Sequence, residues 1–455
     1  MSQTTTKQDE RIYVLSQEEP VRAVIRLGVP LIAGMCIMVL YNLVDTYFIG
    51  LMHDDYQLAA VNLSYPVMMI TIALSNMIGT GASSLIARKL GAGDRKTAEH
   101  TLTAGFVLTV LNSILTAFFG LLFLNPIVTA LGAKANTFTY TADYVSVILA
   151  GSLFTMGSYT FGALLRSEGS VKYSVTGMIA GTLTNIILDP LFIFTFGMQI
   201  KGAAIATILG NAVGAGCSLY FYLSGKTILR PHRSMIVPTA EILKEIFWVG
   251  VPATLETLLT SGAYIVNNNL AVSYGELTVA AMGIAQKILS LGNYIYQGFA
   301  AGTQPIMGYN YGARNYRRMI DVLKAGLMTV SLTEFALMAV YGIFAPQLIA
   351  VFTISPEVIS TGSTVLRAIM LILPCVGATS MSRMSFQAMG KPQFAFVITL
   401  IRQLILYIPL LLAFNHLFGF QGMIYAQPVT ELIMMAASVT LLVHEIRRAE
   451  QQFRP

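Results

Sequence analysis

Two aspartates stand in otherwise apolar sequence, each beside residues able to help bind or release a cation. Asp45 lies in Tyr41-Asn42-Leu43-Val44-Asp45-Thr46 and Asp189 in Asn185-Ile186-Ile187-Leu188-Asp189-Pro190. Asn185 and Asp189 are four residues apart and share one helix face, while Pro190 withholds a backbone donor and kinks the chain. An acid in a membrane span costs at least about 2.5–3.5 kcal/mol, and desolvation favours its neutral form. Such a group takes up and gives off a proton, or holds Na⁺ together with amide and hydroxyl oxygens. The plain alternative is a hydrogen-bonded structural acid near the outer end of a helix. Glu256 and Lys287 also interrupt apolar runs. An ion pair is their simplest account, since each alone would be a bare buried charge; contact with substrate is the other. Arg367, Arg402, Glu334 and Glu431 read as snorkelling or paired groups.

The elements that must carry these residues follow from composition. The chain has 455 residues, 55% hydrophobic and 11% charged, with a mean hydropathy of +0.67. Soluble domains run about 45–50% apolar and about 25% charged, so a soluble enzyme, a disulfide scaffold, a coiled coil and a disordered chain are excluded. The apolar sequence falls into twelve runs of the roughly 20 residues a helix needs to cross a bilayer. They begin near Val24, Leu58, Ala98, Tyr140, Val171 and Gly202, then near Lys244, Leu277, Ile320, Glu357, Phe394 and Gly422. Helices satisfy their own backbone groups in lipid, and the alternation of barrel strands is absent. Met1 to Val21 is polar, so no cleavable signal is expected and the first apolar run stays as a span. Cys36, Cys217 and Cys375 all fall in apolar runs and read as small core residues. The 23 Met, 24 Phe and 21 Tyr supply adaptable surface for bulky amphipathic ligands.

Charge fixes the expected orientation. With the N-terminus inside, 23 of the 28 Lys and Arg fall in cytoplasmic segments, Arg383 among them, against Lys134 and Lys201 outside. Both termini are thus cytoplasmic, and the net charge of +6 reflects topology rather than a nucleic-acid partner. The halves also repeat at a nearly constant offset. Gly28-Val29-Pro30 returns as Gly250-Val251-Pro252, Gly91-Ala92 as Gly312-Ala313, and Gly169 as Gly390. Six spans per half make the repeats parallel. The expected architecture is an all-α integral membrane protein, with twelve transmembrane helices in two six-helix lobes around a central cavity. Its segments are an N-terminal stretch (1–23), a first lobe (24–225), a cytoplasmic linker (226–243), a second lobe (244–446) and a tail (447–455). The lobes are chemically unequal: Asp45 corresponds to Asn267, and Asp189 to Ile408. No phosphate-binding loop, metal-ligand spacing or catalytic constellation is present, so no enzyme activity, cofactor or resident metal is expected. An ion gradient, or the substrate's own, must supply the energy.

These residues and motifs resemble the multidrug and toxic compound extrusion (MATE) family of secondary transporters over about residues 20 to 445. The resemblance rests on Gly28-Val29-Pro30, the run Ala82 to Asp94, Leu164 to Gly169, Asn185 to Pro190, Gly302-Thr303-Gln304-Pro305 and Tyr309 to Ala313. The DinF-type prokaryotic branch looks nearest. It implies coupling of H⁺, or less readily Na⁺, through Asp45, Asn185, Asp189 and Thr207, with Tyr144 nearby and a bend of the first span at Pro30. The NorM-like branch uses second-lobe acids; Glu256 is offset by about a turn from the place expected, and the tenth span offers no acid. Tyr41, Tyr144, Asn267, Glu256 and Lys287 are the candidate cavity or substrate residues. The implied reaction is antiport of organic, often cationic, small molecules by a monomer in the lipid bilayer of the cell (inner) membrane. The alternative is a dedicated metabolite exporter or a lipid-linked flippase of the same fold superfamily.

Overall fold

The computed structural model describes residues 10–52 and 54–452, and the side chains of all of these but 40–43, 45–47, 49, 50, 55, 135, 276 and 452. The first half comprises α1 (Pro20–Gly50), α2 (Asp55–Gly91), α3 (Arg95–Leu122), the short α4 (Leu124–Ala130), α5 (Ala135–Ala150), α6 (Ser152–Ser167), α7 (Val171–Pro190) and α8 (Gln199–Leu223). The second comprises α9 (Ala240–Val272), α10 (Glu276–Gly312), α11 (Tyr316–Ala350), α12 (Pro356–Ile369), α13 (Leu373–Ala388), α14 (Pro392–Leu400) and α15 (Ile408–Gln452). Among the described residues eight helices are long and apolar enough to cross a membrane, and α5 with α6, bent by 51°, makes a ninth crossing. Helices α9 and α10 have the length, 33 and 37 residues, although charged groups dilute their hydropathy. The stretch from Pro392 to Gln451 holds two crossings, parted where Gly419 takes a positive φ of 61°. The architecture is the expected all-α one with twelve crossings.

Local chemistry repeats along with the sequence. Asp94 caps α3 by accepting the Thr97 N–H at 3.1 Å, and its counterpart Asn315 caps α11 by accepting the Arg318 N–H at 3.2 Å. The residue before each cap has a positive φ, Gly93 at 76° and Arg314 at 57°. Near Pro190 and its counterpart Pro409 the helix widens into π turns, Leu191–Thr195 and Ile401–Tyr407. Each π turn lies within two residues of a proline, whose missing N–H removes one bond from the ordinary ladder.

The chain forms two compact units. Among the described residues, one holds 10–14 and 33–251, the other 15–32 and 252–452. The boundaries of these units run through α1 and α9. In the first unit Gly81 and Gly250 let α2 and α9 meet backbone to backbone: a Cβ on either would strike the Ile246 or the Met77 carbonyl oxygen. In the second, Gly302 lies against α1 so closely that a Cβ would sit 2.7 Å from the Gly28 nitrogen. Repeated glycines thus mark repeated helix crossings. The first unit's main core gathers Leu102, Leu164, Leu165, Tyr222, Leu229 and Ile246. The second gathers Ile288, Leu289, Tyr341, Leu366, Ile369 and Leu373.

Candidate functional site

In the first unit, α7 and α8 approach at two glycine pairs. A Cβ on Gly181 would lie 2.6 Å from the Gly210 carbonyl oxygen, and one on Gly177 3.0 Å from that of Gly214. Gly177-x-x-x-Gly181 and Gly210-x-x-x-Gly214 are the small-residue spacings that bring membrane helices together. Asn185, one turn beyond Gly181, is thereby pressed against α8. Its Nδ2 lies 3.3 Å from Asp189 Oδ1 and 3.4 Å from Thr207 Oγ1. With the amide turned over, its nitrogen donates to Asp189 Oδ2 at 3.2 Å and its oxygen accepts the Thr207 N–H at 3.0 Å. All three residues are buried, Asp189 fully so. The structure therefore brings together Asn185, Asp189 and Thr207. Pro190 ends α7 and the π turn follows directly. Tyr144 is buried with Ala60, Ile148, Ala204 and Ile208, so it packs on the α8 residues that flank Thr207. The side chains of Asp45 and Tyr41 lie outside the described residues.

Asn185 and Thr207 open onto a cavity of about 120 Å³ whose wall includes Met38, Met68, Met178, Tyr159 and Arg166. Arg166 lies in the last turn of α6, with Nη1 donating to Ser174 at 3.0 Å. Beside it, in the turn after α6, Glu168 is fully buried and accepts the Leu229 N–H at 2.9 Å and the Ser170 hydroxyl at 2.8 Å. Arg11 completes this knot: it donates to Ser170 and to the Lys226 carbonyl, both at 2.8 Å, and stacks over the Tyr173 ring. Burial pushes the Glu168 carboxyl up to about 7, against the lowering effect of its hydrogen bonds and of Arg11. The glutamate of Leu164 to Gly169 is thus the post that ties the N-terminal segment and the linker to the first unit.

The second unit corrects the expected pairing. Glu256 is 2% exposed, and its partner is Arg383, whose Nη1 donates to Oε2 at 2.7 Å, with Gln387 3.2 Å from the same oxygen. Lys287 is exposed. Arg383 and Gln387 lie one turn apart within α13, which continues to Ala388, so Arg383 lies within a helix and not in a loop. Arg402 and Glu431, read as snorkelling or paired groups, pair with each other at 3.1 Å. Arg367 is exposed and donates to the Gly342 carbonyl. Glu334, expected to snorkel or pair, does neither among the described residues: it is fully buried on α11 and neither of its oxygens has a hydrogen-bond partner there. Asn267, the counterpart of Asp45, is buried on α9. Pro30 lies inside α1, which runs through it as one helix. Sequence alone missed Arg383, Gln387 and Arg166. The signal for the first two was a polar stripe, Thr379, Arg383 and Gln387, at four-residue spacing in an apolar run.

The MatE family model matches residues 30–191 and 252–412, once in each half. The multidrug export protein MepA of Staphylococcus aureus (strain MSSA476) is 28% identical over 443 residues, covering 96% of this chain and 97% of its own. That of Staphylococcus saprophyticus is equally similar over the same length. Among solved structures, a MATE protein in complex with MaL6 aligns with a TM-score of 0.92 at 28% identity, over 97% of this chain and 99% of its own. An outward-facing multidrug resistance MATE transporter has a TM-score of 0.92, also at 28% identity, over 97% and 98%. A MOP superfamily transporter from Pyrococcus furiosus, whose reversed binding-pocket polarity suggests a different function, has a TM-score of 0.91 at 28% identity over 96% and 98%.

Proposed function

The chain belongs to the MatE family of multi-pass membrane exporters, and from that membership we propose that it expels organic, often cationic, compounds in exchange for H⁺ by alternating access. The observation that supports coupling is the buried Asp189–Asn185–Thr207 group beside a cavity. The Asn185 amide can answer to the charge on Asp189. Against a carboxylate its nitrogen donates to Asp189 while its oxygen faces Thr207. Against a carboxylic acid the roles exchange: the acid O–H donates to the amide oxygen and the amide nitrogen turns to Thr207 Oγ1. Protonation at one end of the group is thereby felt on α8 at the other. Protonation of Asp45 would act with it to alter the packing of α1 and close the first-half cavity from the inside. H⁺ suits the site better than Na⁺, because the described side chains offer an acid, an amide and a hydroxyl, fewer oxygens than a hard cation gathers.

Methionines and Tyr159 in the cavity wall suit ligands of varied shape. That agrees with a broad substrate range such as the name of MepA describes. The basic residues of alternate loops support a cytoplasmic-membrane location with both termini inside. Asp45→Asn and Asp189→Asn are each expected to abolish dye efflux while the protein still folds and inserts. Dye efflux from membrane vesicles, with pH and Na⁺ gradients imposed separately, reads both the coupling and the ion. Retained efflux in both variants would remove these carboxyls from the mechanism, and efflux driven by Na⁺ alone would replace H⁺.

A further inference from the structure

Among the described residues, the buried carboxyls of the second unit outnumber the cations paired with them. Glu256 is matched by Arg383, Glu431 by Arg402 and Glu445 by Lys391, at 2.7, 3.1 and 2.6 Å. Glu334 is the fourth buried acid, and among the described residues no Lys or Arg is paired with it. Its carboxyl occupies a place made by a missing side chain: a Cβ on Gly292 of α10 would lie 3.2 Å from Glu334 Oε2 and 2.6 Å from Leu373 of α13. The groups around it leave it without a donor. On its own helix, the Tyr341 hydroxyl is spent on the Ile288 carbonyl at 3.0 Å. On α12, Arg367 is exposed and engages the Gly342 carbonyl, about two turns further along α11. On α10, Lys287 is exposed, and Tyr296 lies in electrostatic reach of Glu334, Arg402, Glu431 and Arg383 alike.

A charged carboxylate with neither donor nor counter-ion is not a stable occupant of such a place, whereas a neutral acid is. We propose that Glu334 is a second proton-binding site. It holds a proton while α10 is packed on it through Gly292, and releases that proton when this packing opens and water or a guanidinium reaches the carboxyl. The step is a simple one: one carboxylate oxygen takes a single proton from water to form an O–H bond, and gives the same proton back. This rests on the reading of the protein as proton-coupled. It adds a binding site to the half that lacks counterparts of Asp45 and Asp189.

The test reads the proton itself. Full-length protein in lipid is stepped through pH while infrared difference spectra record the carbonyl stretch of protonated carboxylic acids. Wild type is expected to show such a band that disappears on alkalinisation. Glu334→Gln should lose it, and Asp189→Asn should keep it. If Glu334→Gln does not fold, Glu334→Asp should shift the band. A band that stays at every pH would make Glu334 a permanently neutral structural acid and overturn the proposal, as would a band unchanged by either Glu334 variant. Efflux surviving in both Asp45→Asn and Asp189→Asn while the Glu334 band still titrates would defeat the first-half coupling and leave this site standing.

Discussion

A buried carboxyl is defined by what its oxygens touch, and this chain holds three outcomes side by side. Glu256 meets a guanidinium and an amide, Glu334 meets nothing that donates among the described residues, and Glu168 meets a backbone N–H and a hydroxyl. Glu168 lies in the turn after α6, where its protonation bears on stability directly. Its carboxyl is raised from 4.5 to about 7 in the folded protein, so between those values the native state holds a proton that the unfolded chain has lost. Stability therefore falls as pH rises through that window and levels off above it. At about 1.4 kcal/mol per pH unit the loss is on the order of 3 kcal/mol. Thermal unfolding in detergent, followed from about pH 5 to about pH 7, should show this decline in wild type and a flatter profile in Glu168→Gln. Equal slopes in the two proteins would mean that Glu168 does not titrate where its burial places it.

Single residues act here through helix crossings, and the crossings explain which parts of the site were legible in the sequence. The repeat offset, the acids at positions 45 and 189 and the Asn185–Asp189 face could all be read from spacing, because a helix converts spacing into adjacency. The partner of Glu256 could not. Arg383 lies 127 residues away, and which of several lone cations reaches an acid depends on how helices pack. The Gly177/Gly181 and Gly210/Gly214 pairs were visible as letters, yet their meaning needs both helices at once: they set the distance at which Asn185 meets Thr207. Gly210→Val tests this. Its Cβ would lie 2.7 Å from the Gly181 carbonyl oxygen and 2.9 Å from Asn185 Cβ. The helices must part, at about 1–3 kcal/mol for an overpacked contact, and the Asn185–Thr207 contact is lost. Dye efflux should fall at least tenfold, as expected for a contact worth about 1.4 kcal/mol or more at the coupling site. Gly216→Ala, where a Cβ meets nothing within 4 Å, should leave efflux and stability as they are. Loss of efflux in both variants would point to general intolerance of α8 instead.

At the scale of the molecule, the compact units do not follow the two halves of the repeat. Residues 15–32, encoded in the first half, belong with 252–452, while the start of α9 up to Val251 belongs with 33–251. The exchanged segments are well anchored. Ala23, Val24, Leu27 and Leu31 are between 0% and 4% exposed in the second unit, and Ile246 and Val249 are fully buried in the first. The Leu15 carbonyl accepts from Asn310 and Arg318, Arg88 pairs with Glu245 at 2.8 Å, and the Val237 carbonyl contacts His100. Sequence periodicity records where spans begin but not which unit their first turns join, so this exchange was hidden. It makes the two halves of the sequence depend on each other in a way that cutting the chain reveals. If the chain is divided after Val237, each fragment carries a segment whose packing partners are on the other. Fragments 1–237 and 238–455 expressed separately should be degraded or aggregate, for want of the glycine-mediated contacts at Gly302 and Gly81. Expressed together they should copurify and restore dye efflux, because no covalent link across the linker is needed once both segments are seated. Size-exclusion profiles of the single fragments decide the matter. If either fragment alone is monodisperse and helical, the exchanged segments are dispensable and the halves are independent after all.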